Sequence, residues 1–397
     1  NDKMSYNNIY LKRGKEESLL RFHPWVFSGA VQRADEGVAE GDLVRVITAD
    51  GNFIAVGHYQ NSSITVRVLA FQDIAIDHKF WTMRLSDALR MRQSIGVADN
   101  TQNSTYRLIY GEGDNLPGLI IDCYDQTAVI QAHSLGMHLC REDICKALLE
   151  VMGSRISNVY YKSDTTLPNA DELGQANGFI HGQTDNNITV ENGLKFRVDW
   201  LRGQKTGFFV DQRENRSLVE HYSKDRSVLN MFCYTGGFSV YAMRGGAKLV
   251  HSVDSSAKAI ELTNNNVALN FPDDSRHKAF VDDAFRYLEE TDKLYDLIVL
   301  DPPAFAKHRS SLRNALKGYT RLNMKGLSHI KAGGLLFTFS CSQVVSKDDF
   351  RRSVFTAAAQ AGRKVRILHQ LHQPADHPIS IYHPEGEYLK GLVLYVE

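Results

Sequence analysis

The sequence contains few cysteines and no long apolar segment. Its five cysteines are Cys123, Cys140, Cys145, Cys233 and Cys341, and none form a Cys-x-x-Cys pair. Neither a disulfide framework nor a zinc knuckle is therefore indicated, and the histidine spacing predicts no metal partner. No apolar run reaches the roughly 18 residues of a transmembrane helix, and the amino terminus lacks a signal-peptide pattern. We expect a cytoplasmic protein without a membrane partner.

The sequence also lacks an excess of charge, since 46 lysines and arginines balance 46 aspartates and glutamates. No global positive field attracts nucleic acid, so any such contact must come from local basic patches. With 397 residues, 43% of them hydrophobic, the chain is long enough for two or three domains.

Three segments differ in their hydrophobic patterns. Residues 1–72 contain short strand patterns separated by turn residues, at 9–11, 43–47, 53–59 and 64–69, and predict a small β-barrel or sandwich. Residues 73–189 predict a mixed α+β domain. Its predicted helices cover 79–94 and 137–152, and its predicted strands cover 106–110, 119–122, 128–132 and 156–161.

Residues 190–397 alternate buried strands with helix-length segments. The predicted strands are 228–232, 249–254, 278–281, 297–300 and 335–340. This alternation is typical of a Rossmann-like α/β fold with a mainly parallel seven-stranded sheet covered on both faces. Ligands of such folds bind beyond the carboxyl ends of the strands, so the chemistry is expected in the loops that follow them.

The first of these loops has a glycine pair that allows close approach of the backbone to a nucleotide-like ligand. Its candidate binding residues are Asn230, Phe232, Tyr234, Thr235, Gly236, Gly237 and Phe238. The spacing is not Gly-x-Gly-x-x-Gly, and a tight turn explains the same residues. About 20 residues later, Asp254 can bind both hydroxyls of a ribose, with Ser255 beside it. The alternative is a helix cap.

The next two strands also end in acidic residues. In Asp282-Asp283-Ala284, one carboxylate can accept from an adenine amino group while the other caps a helix, and the sequence does not assign the roles. In Asp301-Pro302-Pro303, two prolines fix the backbone and hold the aspartate rigidly at the sheet edge. Such an aspartate suits recognition of a flat base.

The fifth strand ends in Ser340-Cys341-Ser342. Free cysteines are usually buried packing residues, and this is our interpretation of Cys123, Cys140 and Cys145. Cys341 differs because it lies on a loop at the same sheet edge as Asp301. It is the candidate nucleophile.

Taken together, these motifs resemble those of class I S-adenosylmethionine-dependent methyltransferases. More narrowly, the chain from about residue 9 to its end resembles the RlmI family of bacterial large-subunit ribosomal RNA cytosine-C5 methyltransferases. The strings that carry this resemblance are 23–30 (HPWVFSGA), 113–119 (GDNLPGL), 205–213 (KTGFFVDQR) and 375–378 (ADHP).

The resemblance implies a PUA-like RNA-binding domain at 1–72, a central domain at 73–189 and a methyltransferase domain at 190–397. It implies S-adenosyl-L-methionine as cofactor and ribosomal RNA as partner, and it leaves a homodimer open. Gln212 and Arg213 are expected to help close the cofactor pocket, although Arg213 suits a structural ion pair equally well.

Carbon 5 of cytosine is a poor nucleophile, so a thiolate must first add to carbon 6. The expected catalytic residues are Cys341 as nucleophile and Asp301 as hydrogen-bond partner of the cytosine N3/N4 edge. Other cytosine methyltransferases of RNA have a second cysteine beside the Asp-Pro-Pro motif, where this chain has Ala304. Two alternatives are methylation of guanine N7 or N2, and an inactive RNA-binding factor in ribosome assembly.

Two basic clusters are candidate RNA-binding sites. One comprises Lys12, Arg13, Lys15 and Arg21, and the other comprises Lys307 and Arg309. Phosphate oxygens are suitable partners for them. A solvated surface explains the same charges.

Overall fold

The computed structural model describes residues 6–397. The strands of this range are β1 (Asn7–Leu11), β2 (Trp25–Phe27), β3 (Val31–Ala34), β4 (Leu43–Ile47), β5 (Phe53–Tyr59), β6 (Ile64–Ala70), β7 (Thr105–Tyr110), β8 (Leu119–Tyr124), β9 (Thr127–Ala132), β10 (Asn158–Lys162), β11 (Asn177–His181), β12 (Ile188–Glu191), β13 (Leu194–Arg197), β14 (Ser227–Met231), β15 (Leu249–Asp254), β16 (His277–Val281), β17 (Tyr295–Leu300), β18 (Ile330–Ser340), β19 (Val365–Leu371) and β20 (Lys390–Val396). The α-helices are α1 (Glu17–Leu20), α2 (His78–Ser94), α3 (Leu135–Leu139), α4 (Arg141–Met152), α5 (Arg213–Tyr222), α6 (Gly237–Arg244), α7 (Ala257–Asn270), α8 (Ala284–Glu290), α9 (Leu312–Leu327) and α10 (Lys347–Ala361).

The chain packs into two compact units. The first extends to Asn192 and also includes Val198–Val210 and Ala375–Gly386. The second comprises Gly193–Arg197, Asp211–Pro374 and Glu387–Glu397. No helix of the described chain combines the length and the apolar character that crossing a bilayer requires.

The amino-terminal part of the first unit is the predicted small β domain. Its six strands pair in the order β2-β6-β5-β4-β1-β3, with β1 and β4 parallel and the other pairs antiparallel. Alternate side chains such as Val44 and Val46 enter its core because successive residues of a strand point to opposite faces. The strands predicted at 43–47 and 53–59 occur with those bounds. The shorter β2 and β3 were not predicted.

The central part of the first unit is a five-stranded sheet, ordered β11-β10-β9-β8-β7, whose strand β7 contacts α2. Asp77 caps α2 by accepting from the backbone N–H of Phe80 at 3.0 Å. The single helix predicted over 137–152 is wrong. Two helices, α3 and α4, meet at Cys140, whose φ of −91° and ψ of 3° depart from α geometry. Ser134 starts α3 earlier by accepting from the N–H of Met137.

Two buried arginines tie distant segments into the first unit. Arg92 pairs with Asp114 and donates to the backbone carbonyl of Asp376 at 2.8 Å. Arg107 pairs with Asp122 through two hydrogen bonds of 2.7 and 2.9 Å. The Asp376 carboxylate in turn accepts from the backbone N–H of Arg107 at 2.8 Å. These contacts explain why Ala375–Gly386 packs with a region almost 300 residues earlier.

The second unit is built on a seven-stranded sheet in the order β16-β15-β14-β17-β18-β20-β19. The first five strands are parallel, and β20 is antiparallel to both of its neighbours. The helices contact one another in two groups: α6 contacts α5 and α7, and α9 contacts α8 and α10. The predicted Rossmann-like, mainly parallel sheet is confirmed. Its apolar strands are buried, as expected of a sheet covered on both faces.

Replacement of Arg92 by methionine is expected to destabilise the first unit by about 3–5 kcal/mol, because the buried Asp114 carboxylate would lose its ion-pair partner. All three tryptophans, Trp25, Trp81 and Trp200, belong to the first unit, so urea unfolding followed by tryptophan fluorescence measures this effect.

Arg90→Met is the matched control. Arg90 lies on the same helix, but it is exposed and pairs with Asp87 at the surface. Its replacement should change the free energy of unfolding by less than about 0.5 kcal/mol. Equal effects of the two substitutions would contradict the assigned role of Arg92.

Candidate active site at the carboxyl edge of the sheet

The glycine turn after β14 has an unusual backbone. Phe232, Tyr234 and Gly236 all have positive φ angles, of 58°, 49° and 83°. Such angles are uncommon for residues other than glycine and often occur at functional sites. A Cβ at Gly236 would lie 2.7 Å from Cγ2 of Thr263 on α7. The turn therefore requires glycine here, and it forms a backbone cradle that suits a cofactor.

Asp254 links this turn to the next strand. Its carboxylate accepts from the backbone N–H of Tyr234 at 3.0 Å and from that of Ser256 at 2.9 Å. Ser256 is itself the cap of α7, because its hydroxyl accepts from the N–H of Ala259. The capping role is therefore filled by Ser256, while the Asp254 carboxylate holds the glycine turn. Ser255 is exposed between them.

The structure separates the two acidic residues after β16. Asp283 caps α8 by accepting from the N–H of Arg286 at 3.0 Å. Asp282 accepts from the N–H of Asp283, and its own N–H donates to the carbonyl of Asp254 at 3.0 Å. Asp283 is therefore the residue of the pair that caps the helix. Ala284 is buried at the start of α8.

Several predicted cofactor residues support the turn from within the fold. The amide of Asn230 donates to the hydroxyl of Ser239 at 2.9 Å. The ring of Phe238 stacks on Phe339 with a centroid distance of 5.8 Å. The buried Thr235 has its carbonyl held by Asn266 at 2.8 Å. The side chains of Asn230 and Phe238 thus pack in the core.

Gln212 and Arg213 lie at the start of α5, and both are buried. The Gln212 side-chain oxygen accepts from the amide of Asn215 at 2.7 Å. The Arg213 guanidinium lies 3.5 Å from the exposed carboxylate of Glu214. This contact agrees with the ion-pair alternative for Arg213.

The loops that contain Asp301 and Cys341 are hydrogen-bonded to each other. They follow the neighbouring parallel strands β17 and β18, in which Leu300 pairs with Thr338. The hydroxyl of Ser342 accepts from the backbone N–H of Ala306 at 3.4 Å and contacts the hydroxyl of Tyr319 at 2.9 Å. Ser340 donates to the same tyrosine at 2.8 Å. The predicted nucleophile and the predicted base-binding aspartate are therefore brought to one place.

Cys341 and Cys140 are half-buried, and the other three cysteines are buried. Burial raises the pKa of Cys123, Cys140 and Cys233 to about 12, and that of Cys145 to about 11. A thiol with such a pKa carries almost no thiolate at neutral pH. These four cysteines are therefore poor nucleophiles.

Sequence reasoning missed Lys390. This residue begins β20, pairs across the ladder with Ser340, and is buried beside the Cys341 loop. The one available signal was a lysine at the start of an otherwise apolar strand pattern. That signal does not reveal which loop the lysine reaches.

The predicted RNA-binding residues are at the surface of each unit. Lys12, Arg13, Lys15 and Arg21 are exposed in the first unit, where Arg13 lies 3.3 Å from Asp50 and Arg21 lies 2.7 Å from Glu17. Exposed ion pairs are weak, so both arginines remain available to phosphate groups. Lys307 and Arg309 are exposed in the second unit, in the segment that follows the Asp-Pro-Pro motif.

His23, His383 and Glu385 of the first unit each place one potential metal-ligand atom within 4.8 Å of the others. The backbone N–H of Trp25, however, donates to Nδ1 of His23 at 3.2 Å. In a neutral ring the proton is then on Nε2, which lies 3.1 Å from a Glu385 oxygen. This tautomer favours a hydrogen bond between His23 and Glu385 over a metal ligand.

Comparison with known proteins agrees with this architecture. A family model described as S-adenosylmethionine-dependent methyltransferase matches residues 175–381, and a PUA-like domain model matches residues 9–71. A putative S-adenosylmethionine-dependent methyltransferase from Streptococcus mutans has a similar fold, with a TM-score of 0.83, 21% identity and coverage of 98% of this chain and 99% of that chain. A putative methyltransferase complexed with SAH superposes with a TM-score of 0.84, at 22% identity and the same coverage. The fold and the site define a methyltransferase that uses S-adenosyl-L-methionine.

Curated relatives identify the family more narrowly. The "Ribosomal RNA large subunit methyltransferase I" of Alteromonas mediterranea is 41% identical over 394 residues, which cover 98% of both chains. The relative of the same name from Tolumonas auensis is 40% identical and covers 97% of this chain and 98% of its own. The chain belongs to the ribosomal RNA large subunit methyltransferase I family, and the resemblance stated from the sequence is confirmed.

Replacement of Gly236 by alanine is expected to weaken the binding of S-adenosyl-L-methionine at least about tenfold, because the new Cβ would displace the turn from Thr263. Isothermal titration calorimetry with the cofactor measures this change. A dissociation constant within about twofold of wild type would contradict the assignment of the turn to the cofactor site.

Gly246→Ala is the matched control for backbone strain. Gly246 also has a positive φ angle, of 90°, but its nearest atoms to an added Cβ, both of Lys224, lie 3.8 Å away. The substitution should cost about 1 kcal/mol of stability and leave cofactor affinity unchanged.

Proposed function

We propose that this protein methylates carbon 5 of a cytosine in large-subunit (23S) ribosomal RNA, with Cys341 as nucleophile. The observation that carries the proposal is the position of Cys341, a half-buried cysteine on a loop that is hydrogen-bonded to the loop that follows Asp301. The names of the relatives support a ribosomal RNA substrate. The cysteine supports cytosine over guanine because only carbon-5 methylation needs a covalent nucleophile.

The chemistry assigns the thiolate of Cys341 to carbon 6 of the cytosine. The S–C6 bond forms as the C5=C6 π pair moves onto carbon 5, which then takes the methyl group. A base removes the proton from carbon 5, the C5=C6 bond reforms, and the S–C6 bond breaks to release the thiolate. Asp301, held at the end of β17 before two prolines, binds the N3/N4 edge and stabilises the adduct.

The residues around the glycine turn fit S-adenosyl-L-methionine. Its sulfonium supplies the methyl group. Asp254 is placed for the ribose hydroxyls, Asp282 for the adenine amino group, and the positive-φ turn for close approach of the backbone. Gln212 and Arg213 complete the proposed pocket.

RNA is proposed to contact the two exposed basic clusters through its phosphates. Lys12, Arg13, Lys15 and Arg21 are on the PUA-like domain, and Lys307 and Arg309 are close in sequence to Asp301. Extrusion of a base from a helix costs a few kcal/mol. A loop, or partly assembled ribosomal RNA, is therefore the proposed form of the substrate.

We predict that the wild-type protein, incubated with unmodified ribosomal RNA and labelled S-adenosyl-L-methionine, places the label in 5-methylcytidine. Cys341→Ala should reduce this product at least about a thousandfold, because the covalent route is lost. Nucleoside analysis of the digested RNA provides the measurement.

Cys145→Ala is the control, since it removes a buried thiol of the first unit and should leave methylation unchanged. Label in a methylguanosine that persists in Cys341→Ala would overturn the proposed mechanism while keeping the methyltransferase. Cofactor binding without transfer to ribosomal RNA would favour a role as an RNA-binding assembly factor.

A further inference from the structure

Lys390 is a buried lysine within the second unit. It is only 5% exposed, and it lies opposite Ser340 in the antiparallel β18–β20 ladder. Because Cys341 is the next residue after Ser340, this register places Lys390 beside the start of the Cys341 loop. Burial of an ammonium group is unfavourable unless neighbouring groups compensate its charge, so the position of Lys390 needs an explanation.

Two backbone carbonyls of the cysteine loop accept hydrogen bonds from Lys390. Its Nζ donates to the carbonyl of Ser342 at 2.5 Å and to that of Val345 at 2.6 Å. The two acceptors follow Cys341 closely in the chain, Ser342 by one residue and Val345 by four. An ammonium group has three N–H donors, so these two bonds leave one donor for a further partner.

The charges around Lys390 indicate what that partner is. Within the described chain Lys390 forms no ion pair with a carboxylate, and Glu387 on the approach to β20 pairs instead with Lys347. The strongest electrostatic interaction that favours the charged form of Lys390 comes from Cys341, ahead of the smaller effect of Glu387. Lys347 opposes it. Tyr319, whose hydroxyl contacts those of Ser340 and Ser342, stays neutral because burial raises its pKa.

We propose that Lys390 is a positioning residue with two roles. Its ammonium group holds the Cys341 loop through two carbonyl groups, and its positive charge stabilises the thiolate of Cys341. This inference rests on the proposed role of Cys341. An opposite charge within about 4–6 Å lowers the pKa of an acid by about 1–3 units. Interaction with the thiolate compensates the buried ammonium in turn.

The same contacts predict how the site responds to pH. Burial lowers the pKa of Lys390 to about 8, an effect that Cys341 opposes. The ammonium is therefore mostly present at pH 7, and its charge is lost as the pH rises above about 8. Lys390 therefore stabilises the thiolate at neutral pH, where an ordinary thiol is only a few per cent ionised.

The test is the pH dependence of Cys341 alkylation by iodoacetamide, followed by mass spectrometry of the Cys341 peptide. Wild type should show a midpoint at least about one pH unit below the usual value of about 8.5. Lys390→Gln, which keeps N–H donors without the charge, should raise the midpoint by at least about one unit and slow alkylation at pH 7 about tenfold. Lys390→Arg should retain most of the wild-type behaviour.

Lys347→Gln is the control for a general effect of surface charge. Lys347 is an exposed lysine near the same site, and its loss should move the midpoint by less than about 0.3 units. A wild-type midpoint at or above about 8.5 would overturn the proposal even if Lys390→Gln failed to fold. An unchanged midpoint in folded Lys390→Gln would overturn it as well.

Methylation at two pH values separates the electrostatic role from a structural one. Lys390→Gln should lose more activity at pH 7 than at pH 9, since hydroxide generates the thiolate at high pH. An equal loss at both values would mean that Lys390 serves only to hold the loop. Should Cys341→Ala still form 5-methylcytidine, the proposed nucleophile fails, whereas the alkylation profiles still decide whether Lys390 stabilises the Cys341 thiolate.

Discussion

Parallel pairing of five strands is the constraint on which the candidate site depends. Asp254, Asp282, Asp301 and Cys341 are far apart in the sequence, yet each follows or ends a strand of this sheet. Parallel register, such as Asn230 with Ser252, brings all of these strand ends to one edge. A slip of one residue would turn every side chain of a strand to the other face, and the buried apolar side chains on both faces oppose it. Packing of the sheet thus determines the order of the functional groups.

Hydrogen bonds between loops then fix the details that the sheet leaves open. The Asp254 carboxylate holds the glycine turn through the backbone N–H of Tyr234. Near Cys341, the Ser342 hydroxyl contacts the backbone N–H of Ala306 and the hydroxyl of Tyr319. Each of these bonds joins residues from different strand–loop units. They hold the loops of this edge in place, and such order favours both binding and catalysis because fewer groups must be ordered in the complex.

The features that were predicted correctly from the sequence are those that a local pattern of residues determines. β15 has its predicted bounds because its apolar residues Val250 and Val253 are buried and the strand ends at a polar turn after Asp254. The separate roles of Asp282 and Asp283 were not predictable, since they depend on the residue at which α8 begins. The break at Cys140 has no glycine or proline to mark it. Lys390 was missed because its partners lie about 50 residues away, across an antiparallel ladder that periodicity does not reveal.

A positive charge beside Cys341 also bears on the missing second cysteine, where this chain has Ala304. Lowering a thiol pKa by one unit from about 8.5 raises the thiolate fraction at pH 7 about eightfold. The intrinsic nucleophilicity of the thiolate falls only about threefold if it depends on the thiol pKa as it does in thiol–disulfide exchange. Addition of the thiolate to carbon 6 is therefore still faster. Departure of the thiolate is faster too, because a more stable thiolate is a better leaving group. One ammonium at Lys390 would thus assist both the formation and the release of the covalent adduct, so a single cysteine can serve a reaction for which related enzymes use two.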